Sequence, residues 1–159
     1  MQSDYRNIYQ DARRTAGLTQ ERWAELLGIS VDAVRQYETD KIRPSDEVVL
    51  RMAEAAGQHI ICYWHLLNKS RVASEILPDL EQKKLPEAVL SLLVAVQTFQ
   101  DDGLRELTRI AADGKISPEE LADYNKVMEQ LRGVIREALH IEFAEKEGKD
   151  GVDHKAGRG

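Results

Sequence analysis

Apolar residues in this chain recur at spacings of three and four and seldom at two, which confines it to helices. Val31, Val34 and Tyr37 repeat in this way. So do Val48, Val49, Met52 and Ala56, and, much later, Leu121, Tyr124, Met128, Leu131 and Ile135. Strand alternation is nearly absent and aromatic residues make up 6% of the chain, so the expected class is all-α. The punctuation agrees with the periodicity. Gly17, Gly28 and Gly57 stand where left-handed C-terminal caps are wanted. Thr19, Ser30 and Ser45 stand where a hydroxyl can cap a helix N-terminus.

Read through, these signals predict a first helix over about 4–16, with Tyr5, Ile8, Tyr9, Ala12 and Ala16 on one face. A second follows Thr19, with Trp23, Leu26 and Leu27 inward. A third spans about 30–39 and is broken by "KIRPS", because Pro44 disfavours helical geometry in the residue before it. A fourth follows Ser45. "HIICYWHLLNKS" is the most apolar stretch and is expected to close an N-terminal core. "SRVASEILP" reads as a short helix stopped before Pro78, and "DLEQKKLPE" as a linker. A long helix is then expected over about 86–112, with Val89, Leu92, Leu93, Val96, Phe99, Leu104, Leu107 and Ile110 on its apolar side. In "DGKISPEE", Gly114 supplies a stop. Ser117 and Glu120 make a capping box, with Pro118 tolerated in the first turn. The last helix runs to about Glu145, its apolar seam repeating at about 3.5 residues. Each long helix would span roughly 40 Å at 1.5 Å per residue.

The expected organisation is a five-helix N-terminal domain over 1–68, a short helix and linker over 69–85, an antiparallel hairpin over 86–146, and a disordered tail over 147–159. Hydrophobic residues at 42% support a packed core. The net charge of −6 argues against indiscriminate binding to nucleic acid or anionic lipid, while leaving room for a local basic patch. The single cysteine, Cys62, excludes an intrachain disulfide framework and fits a reducing, cytoplasmic setting. It reads as a small core hydrophobe. No signal segment or membrane-length apolar run is visible. His59, His65, His140 and His154 lack metal-ligand spacing. Asp101, Asp102 and Asp113 lack the alternation of a calcium loop. No phosphate loop or catalytic triad stands out, so neither an enzyme nor a cofactor is expected.

Residues 19–38 have the spacing of a helix-turn-helix: two helices, a short turn at Gly28, and the second helix presented outward. Ala24 keeps the pair close, and Val34 and Tyr37 anchor the second helix from behind. The stretch "TQERWAELLGISVDAVRQYETDKIRPS" resembles the Xre-type (lambda repressor and Cro-like) family. The shared pattern is Thr19-Gln20, Ala24, Gly28, Ser30, Val34, Tyr37-Glu38, and Arg43 with Pro44. Trp23 and Tyr37 depart from the usual leucine and tryptophan but keep the apolar character. The resemblance covers about residues 4–66 and implies double-stranded DNA as partner. It implies that Val31, Asp32, Arg35 and Gln36 face base edges, with Ser30 and Thr39 at the groove walls. Gln20 would touch phosphate or brace the recognition helix, and Lys41 and Arg43 would hold the backbone. Asp32 is the least comfortable of these: it suits the helix dipole but would face phosphates or cytosine N4.

Residues 1–60 hold eight Lys or Arg against ten Asp or Glu. Phosphate neutralisation supplies much of DNA affinity, so one copy should bind weakly and two should gain by linkage. The hairpin is expected to supply the second copy. Val89, Leu92, Val96, Phe99, Leu121, Tyr124, Met128, Leu131 and Ile135 are the expected homodimer contacts in a four-helix arrangement. The layout is more loosely similar to phage CII-like regulators. The alternative expectation is a protein-interaction regulator, antitoxin-like or phage-derived, that captures a protein partner through the same hairpin.

Overall fold

The computed structural model describes residues 7–144, and over them the chain forms helices and turns with no strand. The tail expected at 147–159 and the start of the first helix lie outside the described residues. The chain divides into two compact units, residues 1–81 and 82–159.

In the first unit, α1 spans Ile8–Thr15, α2 Gln20–Leu27, α3 Val31–Glu38, α4 Asp46–Ala56, α5 Ile60–Lys69 and α6 Arg71–Ile76. Side-chain oxygens close the N-termini. Asn7 Oδ1 accepts from the Tyr9 and Gln10 amides at 3.0 Å. Thr19 Oγ1 accepts from Arg22 N–H at 3.1 Å, and Ser30 Oγ from Ala33 N–H at 3.1 Å. Each satisfied cap contributes about 1 kcal/mol. Between α2 and α3, Gly28 adopts φ 64°, a left-handed conformation in which a side chain would be strained.

The core of this unit is built from Trp23, Leu27, Val34, Val49, Met52 and Ile61, all buried. Full burial of a side chain of this kind is worth roughly 1.5–3 kcal/mol, so one face of each helix fixes the bundle. The apolar stretch after Gly57 is itself a helix and closes the core with Ile60, Ile61 and Tyr63. Residues beyond α6 are pinned rather than loose. The Tyr63 hydroxyl donates to Pro78 O at 2.5 Å, and Trp64 Nε1 donates to Leu80 O at 2.9 Å.

The second unit is a helical hairpin. Its first arm is α7, Leu85–Thr98, a wide π turn over Phe99–Gly103, α8, Leu104–Ile110, and a 3₁₀ turn over Ala111–Asp113. Its second arm is α9, Leu121–Glu142. The helix expected over 86–112 is therefore present along its length, but widened by the π turn and ended by the 3₁₀ turn. The π turn carries Gly103 into a buried position, where a Cβ would overlap Gln130 Oε1 and lie 2.6 Å from the Phe99 ring. The capping box is present. Glu120 N–H donates to Ser117 Oγ at 3.3 Å and Ser117 N–H donates to Glu120 Oε2 at 3.1 Å. Regular helix starts only at Leu121, one turn after Ser117.

The buried face of the hairpin differs from the expected seam. α7 and α9 pack together, and their buried residues are Ala88 on α7 and Val127 and His140 on α9, while Leu121 is 50% and Ile135 54% exposed. Tyr124, Met128 and Leu131 are half-buried, as are Leu92, Val96 and Phe99. Periodicity marks an apolar side without saying which edge of it meets the neighbour. A small residue at 88 lets the helices approach along a line next to the larger side chains, and Val89, Leu90, Leu93 and Val94 stay exposed. Lys83 Nζ bonds Glu137 Oε2 at 2.9 Å, and Gln82 Nε2 donates to Phe143 O at 3.0 Å, tying the hairpin's open end.

Candidate nucleic-acid interface

α3 is held from behind by an apolar and an ionic anchor. The apolar one is Val34, 1% exposed in the core. The ionic one is Glu38 on the same inner face, whose carboxylate receives two bonds from the Arg13 guanidinium: Nε to Oε1 at 2.5 Å and Nη2 to Oε2 at 3.0 Å. Gln20 Nε2 donates to Glu38 Oε2 at 2.8 Å and Gln10 Nε2 at 3.4 Å. Burial pushes the Glu38 carboxyl upward, but the hydrogen bonds from Arg13 and Gln20 outweigh it and hold the group below its ordinary range. The same pair raises the Arg13 guanidinium.

The network continues to the outer surface. Gln20 Oε1 accepts from Arg35 Nε at 3.3 Å, so one amide links the buried carboxylate to an exposed guanidinium. The Gln20 amide thus bonds both ends of α3's polar network, Glu38 within and Arg35 outside. Held at Nε, Arg35 has no hydrogen bond at either terminal nitrogen among the described residues, which leaves donors of its planar fork for a bidentate partner. Gln36 Nε2 donates to Asp32 Oδ2 at 2.5 Å, one turn earlier, which orients the Gln36 amide along the helix. Thr39 Oγ1 donates to Arg35 O at 2.7 Å and so closes the helix end. Ser30 is committed as the N-cap. Val31 is half-buried and packs on the core, so Asp32 is the outermost side chain of the first turn.

The loop after α3 is fixed as well. Asp40 takes φ 55° and its Oδ1 accepts from Asn7 Nδ2 at 2.9 Å, while the same nitrogen donates to Tyr37 O at 2.8 Å. Lys41 N–H donates to Gln36 O at 3.0 Å, completing the C-terminal cap. Pro44 is buried. This rigid turn presents Lys41 and Arg43, both exposed and in no ion pair among the described residues. Some of the unit's other cations are matched, Arg22 with Glu25, Lys69 with Asp46 and Arg13 with Glu38, while Arg14, Arg51 and Arg71 are also in no ion pair among the described residues. Arg35, Lys41 and Arg43 thus lie exposed on α3 and the turn after it, with Asp32, Asp40 and Asp46 as the acids closest along the chain.

Asn7, Arg13 and the interior role of Glu38 were not read from the sequence. The only signal for them was a cationic residue, Arg13, next to the apolar face of a helix whose partner was unknown. The arrangement is a helix-turn-helix, and residues 10–59 match the family model for a helix-turn-helix domain. That is the class that suggests a DNA-binding regulator. No curated protein and no solved structure matches the chain. No helix among the described residues is long and apolar enough to cross a membrane.

Proposed function

We propose that the protein is a sequence-specific transcriptional regulator of the Xre type that places α3 in the DNA major groove and binds as a dimer. The observation that carries this reading is Arg35, held at Nε by Gln20 on the exposed face of a helix whose other face is locked, followed by the exposed Lys41 and Arg43, which make no ion pair among the described residues. In this reading the Arg35 fork pairs with guanine O6 and N7. Gln36, with Oε1 and one amide proton left over from Asp32, pairs with adenine. Lys41 and Arg43 contact phosphates, and Ser30 and Thr39 line the groove walls. Gln20 acts through Arg35.

The exposed apolar side chains of the hairpin support the second half of the proposal. Val89, Leu90, Leu93 and Val94 on α7 and Leu121 and Ile135 on α9 all face solvent in the single chain. Covering them with another hairpin gives a four-helix bundle and pairs two recognition helices for sites about 34 Å apart. The same exposed side chains favour, as a second reading, a hairpin that captures a different protein.

Selection of duplexes from a random library, followed by salt-titrated binding, tests the assignment. Arg35→Ala should weaken a selected operator by ~1–3 kcal/mol and relax preference at one position. Lys41→Ala should weaken all duplexes alike and reduce the salt slope by about one. No enrichment from the library, or no effect of Arg35→Ala and Gln36→Ala, overturns base readout. Sedimentation showing a monomer at micromolar concentration overturns the dimer.

A further inference from the structure

A cavity of about 470 Å³ opens on the first unit between α4 and α5, on residues that the proposed DNA interface does not use. Its size lies within the roughly 300–1,000 Å³ of small-molecule sites, which are mostly apolar with a few converging polar groups. Val49, Leu50, Cys62 and Leu66 form the apolar walls. Leu50 and Leu66 are 55% and 45% exposed, large apolar side chains that form a lip open to solvent.

The polar edge is a short chain of bonds. His65 is buried and its Nδ1 shares a hydrogen bond with the Tyr9 hydroxyl at 2.7 Å. Its Nε2 meets Asp46 Oδ1 at 3.2 Å, and Lys69 Nζ donates to the same oxygen at 2.6 Å. A carboxylate oxygen only accepts, so His65 carries a proton on Nε2, and in that neutral tautomer its Nδ1 accepts a hydrogen bond from the Tyr9 hydroxyl. Asp46 Oδ2 has no hydrogen bond among the described residues, and Lys69 spends one of its three donors. A free acceptor and free donors therefore stand side by side at the cavity mouth. Asp46 and Lys69 cancel in charge and burial holds the His65 ring below its ordinary range, so the lining residues themselves carry no net charge, with Arg43 as the nearest further charge acting on His65.

We propose that this cavity binds a small neutral amphiphile: an alkyl or aryl body against the leucines, and a head with a donor and an acceptor side by side, as in a primary amide. The ligand's N–H would donate to Asp46 Oδ2 and its carbonyl would accept from Lys69 Nζ. The site belongs to the first unit and stands whether or not the protein binds DNA.

Cys62, the chain's single thiol, lines the cavity and reports on it directly. The test follows alkylation of Cys62 by N-ethylmaleimide in the full chain, with hexanamide, hexanoate and hexylammonium as probes. Hexanamide should slow the reaction about tenfold at ten times its dissociation constant. The two ions should need severalfold higher concentrations. Leu66→Asp and Leu50→Asp alter only the exposed lip and should each remove the protection. An alkylation rate indifferent to millimolar hexanamide overturns the site. Equal protection by either ion overturns the neutral head. Protection that grows with protein concentration and without any probe shows that a second copy occupies the groove, and it overturns the proposal as well.

Discussion

Replacing Glu38 by glutamine tests the link from core to reading face most directly. The Glu38 and Arg13 side chains are 2% and 10% exposed, so the guanidinium would lose its counter-charge in a place water barely reaches. Breaking a buried pair by removing one partner costs about 3–5 kcal/mol, because the other charge stays desolvated. A domain of this size has about 5–15 kcal/mol in all, so Glu38→Gln should move the urea midpoint of the first unit by a large fraction of its value. The reverse single change, Arg13→Met, should cost a comparable amount. The double change, Arg13→Met with Glu38→Leu, should recover most of it, since replacing a buried pair by apolar residues of similar volume is often neutral or better. The coupling in that cycle is the decisive quantity. Acid should act in the same direction. The Glu38 carboxyl is depressed in the folded state, so its stabilisation is complete above the ordinary pKa near ~4.3 and is lost as pH falls through the folded value. Circular dichroism in urea at neutral pH and below pH 4 reads both effects. A cost for Glu38→Gln below about 1 kcal/mol, or purely additive single changes, would mean that Arg13 and Glu38 are not a desolvated, coupled pair.

Two further outcomes follow from the packing. Gly103→Ala should destabilise the hairpin by about 1–3 kcal/mol, read as a lower thermal midpoint, because the new methyl overlaps Gln130 and crowds the Phe99 ring; Gln130→Ala should partly relieve it. His65 is held below its ordinary pKa chiefly by burial, against Asp46, which raises it, and Lys69 and Arg43, which lower it; the Tyr9 hydroxyl faces its other nitrogen. The unfolded chain then takes up a proton first, so stability is full above about pH 6.5 and falls as pH drops toward the folded value. His65→Gln should flatten that slope in pH-dependent urea unfolding, and an unchanged slope would place the titration elsewhere.

Much of the architecture was legible in the sequence because it rests on local rules. The caps at Thr19, Ser30 and Ser45, the left-handed turns at Gly28 and Gly57, and the Ser117–Glu120 box each depend on residues within four positions of one another. So does the outward position of Arg35, since Val34 and Tyr37 mark the opposite side of the same short helix. Non-local choices were not legible. That Glu38 accepts from Arg13, twenty-five residues away, follows from how α1 crosses α3 and from no pattern within either helix. Which edge of the hairpin's apolar stripe becomes its interior depended on Ala88 and Gly103, small residues whose value appears only when another helix approaches. The helices, their ends and their apolar sides follow from local sequence, because hydrogen bonding and periodicity act over one or two turns. Tertiary structure alone decided the buried ion pair, the brace from Gln20 to Arg35 and the cavity between α4 and α5, because each needs side chains that are distant along the chain to meet in space.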